Sequence, residues 1–284
     1  MFPLSSENLL VASLKFCAGV CSGIVFLIIL FVANEAIPSF TSPGFTAFFT
    51  DEAWYPTYNQ FNLVPMIIGT LCLASGAVLL SAPLGILSAL FCHFYGKGLT
   101  LKIYRRIIEL LAGVPSVVFG FWGLMVLVPM IAKIAQPGAS LLAGVLILFI
   151  MILPTMALTA DVALEQVPKS LIQGSYALGY TKTRTLLSVV LPSAKSGLAV
   201  GFILQVGRAL GETMAVLMVT GNVVQIPESV FNPIRALTSN IALEMAYAVD
   251  HHRSALFFTG LILILVVLAL VLLSHSLQRT ADGR

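Results

Sequence analysis

Long uninterrupted runs of apolar residues dominate the chain, and shorter stretches between them hold nearly all of the charges. A helix needs about 20 mainly apolar residues to cross a bilayer, whereas membrane β-strands alternate apolar and polar residues. The pattern therefore predicts an all-α, polytopic membrane protein in which residues 1–284 form a single transmembrane domain. We expect about six spans, at residues 14–37, 63–92, 110–133, 139–160, 196–220 and 254–274.

Composition supports the same class. Hydrophobic residues make up 58% of the chain and charged residues 10%, against about 45–50% and about 25% in soluble domains. The mean hydropathy is +1.00. These values exclude an ordinary cytosolic enzyme, which could not hide so much apolar surface, and they exclude a disordered chain, which needs high charge and low hydrophobicity.

The distribution of basic residues predicts the orientation, because Lys and Arg accumulate in cytoplasmic loops. We expect both termini in the cytoplasm. Eleven of the fifteen basic residues then lie on the cytoplasmic side: Lys15, Lys97, Lys102, Arg105, Arg106, Lys169, Lys182, Arg184, Lys195, Arg279 and Arg284. The outer side holds Lys133, Arg235 and Arg253, and Arg208 lies within a span.

Shorter segments complete the predicted topology. Residues 98–109 mix Leu and Ile with Lys and Arg, which predicts a short helix at the headgroups before the third span. Pro115 is expected to kink that span. Residues 221–253 are expected to form an outer loop with a short helix.

The motifs of common enzymes are missing from the sequence. It contains no G-x-x-x-x-G-K-[ST], no H-E-x-x-H and no G-x-S-x-G. The four cysteines and four histidines do not have metal-ligand spacing. We therefore expect a transporter subunit with no cofactor or metal of its own, and the sequence gives no reason to expect a nucleic-acid partner.

The cytoplasmic segment 161–195 predicts a structured knob. Gly179 separates two helix-like halves, 169–178 and 181–190, and can adopt the positive φ that a sharp turn requires. A plain amphipathic connector between two spans is the alternative interpretation.

The spacing Gly179-x9-Val189-x-Leu191-Pro192 resembles the coupling loop of bacterial ABC importer permeases. That family opens the loop with Glu-Ala-Ala, where this chain has Gln173-Gly174-Ser175, so an acidic contact is not carried over. The resemblance implies that the loop docks on a separate ATP-hydrolysing subunit, which would bind the ATP and Mg. The residues implied in this contact are Gly174, Ser175, Ala177, Leu178, Gly179, Tyr180 and Thr181.

Two charges interrupt the fifth predicted span. Arg208 and Glu212 are four residues apart, which places them on one helix face if the helix is continuous. A charge inside the bilayer has an unfavourable insertion free energy and usually marks a transport pathway. The planar guanidinium group of arginine can donate two parallel hydrogen bonds to phosphate oxygens. A self-neutralising Arg–Glu pair that only braces helices is the alternative. Gly207 and Gly211 form a G-x-x-x-G pattern that favours close helix packing.

The run Gly207–Val216 (GRALGETMAV) resembles the phosphate-specific (Pst) ABC importers, and their PstC-type permease subunit more than their PstA-type subunit. Glu109–Gly123 (ELLAGVPSVVFGFWG) and Leu237–Met245 (LTSNIALEM) agree with the same subunit type. The resemblance extends from about residue 60 to 274. It implies a substrate pathway that includes Arg208, Glu212, Thr213 and Ser116.

The same resemblance implies a location in the bacterial inner membrane and a set of partners. These are a homologous PstA-type permease subunit, a dimer of ATP-binding subunits, a periplasmic phosphate-binding protein that meets the outer loops 38–62 and 221–253, a cytoplasmic phosphate-signalling regulator, and membrane lipid.

Three alternatives remain open from the sequence. One is a proton-driven secondary carrier with Glu212 as the proton relay. A second is an ABC permease for another oxyanion, such as phosphonate, sulfate or molybdate. A third is a membrane sensor that signals phosphate status without transporting it.

Overall fold

The computed structural model describes the backbone of residues 6–282 and the side chains of residues 9–272. Arg284 and the side chain of Arg279, which entered the predicted charge asymmetry, lie outside these ranges. The described chain is almost entirely helical, which confirms the predicted all-α membrane class. By length and composition five helices could cross a membrane, and a bent helix pair would make a sixth.

Thirteen α-helices are described. They are α1 (Ser6–Ala36), α2 (Ala47–Thr50), α3 (Val64–Leu90), α4 (Gly98–Ala112), α5 (Ser116–Trp122), α6 (Val128–Ala132), α7 (Leu141–Glu165), α8 (Lys169–Ala177), α9 (Lys182–Thr185), α10 (Leu191–Gly211), α11 (Met214–Val219), α12 (Leu237–Glu244) and α13 (Asp250–Asp282). Turns of π-helix occupy Phe40–Gly44 and extend α3 over Phe91–Tyr95, join α5 to α6 over Gly123–Leu127, and join α9 to α10 over Leu186–Val190.

The third predicted span is a broken one. The helix α4 and the pair α5–α6 together cover Gly98–Ala132, with a bend of 94° between Ala112 and Ser116. Pro115 provides the break, since its backbone is extended (φ −60°, ψ 140°) and it caps α5. The predicted kink is therefore a sharp corner between α4 and α5.

The fifth predicted span, 196–220, is wrong as a single helix. The helix that starts at Lys182 continues through α10 and ends at Gly211, and α11 follows after two non-helical residues. This helix is thus longer toward the predicted coupling loop and shorter toward the outer loop than expected.

The contacts divide the chain into two compact units. The first comprises the described residues up to Asn62 together with Glu244–Ile262. It contains a two-stranded antiparallel hairpin that the sequence did not predict, β1 (Trp54–Tyr55) and β2 (Gln60–Phe61). Aromatic rings form its core: Phe48 stacks on Phe258 at 4.2 Å, and Trp54 meets Phe61 edge-on at 5.5 Å between ring centroids.

The second unit comprises Leu63–Leu243 and the described residues of α13 from Leu263 onward. Its centre is the packing of α3 against α7, with α10 packed against both. Small residues allow the close approach: a Cβ at Gly85 would lie 2.6 Å from Met156, and a Cβ at Gly144 would lie 2.5 Å from Leu73. The largest fully buried side chains of this core include Leu148, Met151, Ile152 and Leu210.

Candidate functional site

The end of α10 places the two charges of the fifth predicted span in different surroundings. Arg208 lies in the last helical turn and is exposed, and within the described side chains it makes no hydrogen bond or ion pair. Glu212 follows the last helical residue with an extended backbone (φ −69°, ψ 126°) and is half-buried. The Arg208–Glu212 pair, which the sequence left open as the alternative interpretation, is therefore not formed among the described side chains.

Glu212 instead stabilises the start of the next helix. Its Oε1 accepts a hydrogen bond of 3.3 Å from the backbone N–H of Ala215, in the first turn of α11. The first N–H groups of a helix have no partner within the helix, and a carboxylate there is favoured by the helix dipole. This interaction holds the carboxylate at the start of α11, so Glu212 has a partner other than Arg208.

The other polar groups at the break are also satisfied. The Thr213 hydroxyl donates to the carbonyl of Gly211 at 3.2 Å, and the Thr238 hydroxyl donates to the carbonyl of Glu212 at 2.9 Å. Non-helical backbone at membrane depth is tolerated only where it is buried in protein or lines a water-filled cavity. The break is therefore a built feature of the fold.

Ser116 lies toward the same end of the bundle as the break. A Cβ at Gly120 would lie 2.8 Å from the Cα of Ala215, and a Cβ at Gly123 would lie 2.9 Å from Val219, so α5 and α11 run side by side in the same direction. Ser116, one turn before Gly120, therefore lies at the level of the residues that precede Ala215. The structure thus brings Ser116, Glu212 and Thr213 to one region.

The glycines of the G-x-x-x-G pattern have open space beside them. A Cβ at Gly207 or at Gly211 would have nothing within 4 Å among the atoms that the structure describes. The predicted packing of this face against a second helix is therefore not made within the described chain, and it stays a prediction about a partner.

The predicted knob in segment 161–195 is present. The helix α8 covers the first half, and α9 with its π-turn covers the second, which confirms the two helical halves. Gly179 between them has φ +77°. The N–H of Gly179 bonds to the carbonyl of Tyr176, and the N–H of Tyr180 bonds to the carbonyl of Ser175, at 3.0 Å each. This is a Schellman turn, whose left-handed residue is best supplied by glycine.

The candidate coupling residues divide into exposed and internal ones. Leu178, at the tip of the turn, is 79% exposed, and Gly174, Ala177, Gly179 and Thr181 are exposed as well. Tyr180 is half-buried, with the Arg184 guanidinium 4.5 Å from its ring centroid. Ser175 is buried, and its hydroxyl lies 2.9 Å from that of Thr185, so it holds the two halves of the knob together.

Lys182 fastens the knob to the end of α3, an interaction that the sequence analysis missed. Its ammonium donates to the carbonyl of Phe94 and lies 4.1 Å from the ring centroid of Tyr95. A cation is stabilised at this position because the last carbonyls of a helix carry partial negative charge. The isolated lysine in the sequence carried no signal of its distant partner.

Two further polar interactions between helices were not predicted from the sequence. Asp161 on α7 forms an ion pair of 3.2 Å with Arg105 on α4, which links the bent helix to the bundle. The buried Gln205 on α10 accepts a hydrogen bond of 2.8 Å from the hydroxyl of Thr155 on α7. Both interactions connect residues that are about 50 positions apart, so a local sequence pattern could not indicate them.

The chain is similar to several known transporter subunits. It is 37% identical over 270 residues to the probable ABC transporter permease protein YqgH of Bacillus subtilis, covering 92% of this chain and 87% of that protein. It is 34% identical over 264 residues to the phosphate transport system permease protein PstC of Mesorhizobium japonicum, covering 85% of this chain and 80% of that protein. The PstC of Pasteurella multocida is 32% identical over 278 residues, covering 89% and 87%.

Solved structures share the fold at low sequence identity. A bacterial ABC transporter involved in the import of the acidic polysaccharide alginate matches with a TM-score of 0.67 and 17% identity, over 96% of this chain and 98% of that chain. The MetNI methionine ABC transporter in an inward-facing conformation matches with a TM-score of 0.59 and 18% identity, over 77% and 94%.

A family description matches most of the chain as well. Residues 81–284 match the family of binding-protein-dependent transport system inner membrane components. These residues include the knob, the long helix and the break at Glu212. The chain therefore belongs to this family and is an inner-membrane permease subunit of an ABC importer.

Proposed function

We propose that this chain is the PstC-type permease subunit of an ATP-driven importer of inorganic phosphate. The observation that carries the proposal is Arg208, an exposed arginine without a partner in the described side chains, in the last turn before the helix break. Two of the relatives named above are phosphate transport permeases. Their names favour phosphate among the oxyanions that an arginine could bind.

The depth of Arg208 suits a transport site. It lies 13 residues after Lys195 on one helix, or about 20 Å at a rise of about 1.5 Å per residue. With Lys195 at the cytoplasmic interface, Arg208 lies inside the hydrocarbon core, which is about 30 Å thick. Placing an arginine there costs about 2.5–3.5 kcal/mol on insertion scales, and a bound anion would offset that cost.

Glu212 is proposed to contribute selectivity. One of its oxygens is held by the N–H of Ala215, which leaves the second to accept a hydrogen bond. Hydrogen phosphate carries a proton that it can donate to a carboxylate, whereas sulfate does not. Thr213 and Ser116, in the same region, are proposed to add hydroxyl contacts along the path.

The long helix provides the coupling. One helix runs from Lys182 in the knob to Gly211 at the break, so a displacement of the knob would be carried to the region of Arg208. We place ATP and Mg on two partner ATP-binding subunits that dock on the exposed tip around Leu178 and Gly179. ATP binding would draw the knobs together and open the pathway to the outside.

The remaining partners follow from the same proposal. A PstA-type subunit would complete the pathway along the open Gly207–Gly211 face, and a periplasmic phosphate-binding protein would meet the outer loops, with both termini in the cytoplasm. A cytoplasmic phosphate-signalling regulator is a further proposed partner. Importing an anion against 100 mV costs about 2.3 kcal/mol per charge, which ATP would supply. Membership of an ABC family favours this source over the proton-driven carrier.

The test is uptake of radiolabelled phosphate into proteoliposomes that hold the complete complex, with its binding protein outside and ATP inside. Uptake that requires ATP, ignores a proton gradient and is competed by phosphate far better than by sulfate, molybdate or phosphonate supports the proposal. ATP-dependent uptake of another oxyanion in preference to phosphate overturns the substrate assignment. Uptake that follows the gradient without ATP overturns the coupling. Loss of phosphate signalling upon deletion, with uptake intact, would favour the sensor.

A further inference from the structure

One face of α10 connects Arg208 with the cytoplasmic end of the helix. Five residues of this face are spaced three, four or seven positions apart, namely Ser193, Gly197, Leu204, Arg208 and Gly211. Residues at such intervals lie above one another on an α-helix. The buried Gln205 lies on another face, toward the core. The face that carries Arg208 therefore continues downward along the whole of α10.

A cavity of about 650 Å³ opens along this face, between α10 and the cytoplasmic half of α7. It begins beside Pro168 and Ser193, next to the knob, and extends upward to Leu204, one turn below Arg208. The two helices are close together at Gly201, where a Cβ would lie 2.9 Å from the hydroxyl oxygen of Thr159. The cavity thus occupies the space between the knob and the proposed anion site.

The walls of the cavity are mainly apolar, and the polar side chains of Thr159, Gln166, Ser193 and Ser196 interrupt them. None of the described side chains that line it carries a charge. The hydroxyls of Ser193 and Ser196 and the side-chain amide of Gln166 line it, and none of the three has a hydrogen-bond partner among the described residues. Since a water molecule takes up about 30 Å³ of liquid volume, the cavity has room for about 20 waters, so an anion could keep much of its hydration shell.

We propose that this cavity, which we call the inner vestibule, is the water-filled exit through which the oxyanion leaves Arg208 for the cytoplasm. The free donors of Ser193, Ser196 and Gln166 would hydrate the anion during its exit. The lack of a second fixed charge in the lining would keep the anion from being held there. This inference rests on the proposed function for its cargo, although the water-filled state of the vestibule can be tested without any cargo.

The experiment compares two positions on α10 that are two residues apart. Val200 is 46% exposed and lines the vestibule, whereas Phe202 is 41% exposed and does not line it. The native thiols Cys17, Cys21, Cys72 and Cys92 are replaced by serine, and Val200→Cys or Phe202→Cys is introduced into the complete complex. Inside-out membrane vesicles are then treated with a negatively charged, membrane-impermeant methanethiosulfonate, and the rate of modification is measured.

We expect Val200→Cys to react at least tenfold faster than Phe202→Cys, because thiols react with this reagent in water and not in lipid. Ser196→Cys, a nearly isosteric change, serves as a second vestibule position if Val200→Cys impairs assembly. Denatured samples of each variant must react equally, which shows that every thiol is present. If both vestibule positions react as slowly as Phe202→Cys, lipid or a helix of another subunit fills the space and the proposal is wrong.

The labelling result and the phosphate assignment can fail separately. Fast labelling of Val200→Cys in a complex that does not import phosphate would refute the phosphate assignment and support a water-filled inner vestibule. Slow labelling in a complex that imports phosphate would refute the water-filled inner vestibule and support the proposed function.

Discussion

The hydroxyl of Thr238 donates a 2.9 Å hydrogen bond to the backbone carbonyl of Glu212, at the point where the long helix through α10 has ended. Glu212 has no helical partner for that carbonyl, because the backbone is extended there. A group 26 residues away in the sequence therefore stabilises the break. Without this hydrogen bond, the carbonyl of Glu212 would need water or a helical N–H group as its hydrogen-bond donor.

Thr238→Val is therefore expected to destabilise the region around the break. The substitution keeps the shape of the side chain and removes the donor, which leaves the carbonyl of Glu212 unpaired at a cost of about 1–3 kcal/mol. We expect a lower midpoint of thermal unfolding in detergent and reduced uptake. Thr238→Ser keeps the hydroxyl and serves as the control. Equal midpoints for the Val and Ser variants would contradict the role of this hydrogen bond.

Arg208→Gln tests the proposed anion site. Hydrogen bonds to charged groups contribute about 1.5–3 kcal/mol, which corresponds to about a 10- to 100-fold loss of phosphate uptake. Arg208→Lys should retain part of the activity, since it keeps the charge and loses the bidentate fork. The control is Arg106→Gln on α4, whose side chain is 76% exposed and, among the described side chains, pairs with Glu109 alone. The site assignment fails if both Gln variants transport alike.

Glu212→Gln separates selectivity from structure. The glutamine oxygen can still accept from the N–H of Ala215, so we expect α11 to remain stable while the preference for phosphate over sulfate falls. Glu212→Ala also removes the acceptor at the helix start, and loss of a cap of this kind costs about 0.5–2 kcal/mol. Competition assays with sulfate measure the first effect and thermal unfolding measures the second. Unchanged selectivity in the Gln variant would refute the role of the carboxylate.

Gly179→Ala should disturb the coupling knob. A residue with a side chain at φ +77° is strained by about 1–2 kcal/mol, so the turn between α8 and α9 should distort. We expect lower uptake per ATP hydrolysed, with the complex still assembled. Gly179→Asn is the matched control, because asparagine adds a side chain at the same position and tolerates the left-handed conformation better than alanine. Similar loss in both variants would show that the backbone conformation at Gly179 is not the cause.

Lys182→Met is expected to loosen the link between the knob and α3. The variant keeps the apolar stem and loses the ammonium, which donates to the carbonyl of Phe94 and lies over the ring of Tyr95. We expect ATP hydrolysis to continue with less stimulation by the loaded binding protein and with less phosphate moved per ATP. Lys182→Arg should restore part of the coupling. Normal coupling in the Met variant would mean that the link does not transmit motion.

Much of the fold could be predicted from the sequence, because the bilayer requires long apolar helices and these are visible as runs of residues. The knob could also be predicted, since Gly179 and Pro192 act locally on the backbone. The corner at Pro115 was expected as a kink, although its angle of 94° was not. The β-hairpin was not predicted, because its two strands have only two residues each and show no alternating pattern. The site of Trp54 was not predicted either, because its partner is distant in the sequence. Trp54 donates to Glu244 at 2.8 Å.

The sequence by itself determined the membrane class, the number of apolar helices and the identity of the charged residues in the fifth span, since these depend on composition and on neighbours along one chain. Only the tertiary structure decided that the span breaks at Glu212, that its carboxylate caps α11, and that Arg208 has no partner among the described side chains. The spacing of four residues left a pair on a continuous helix open as an alternative. The hydrogen bonds from Ala215 and from the distant Thr238 satisfy Glu212 at the break instead.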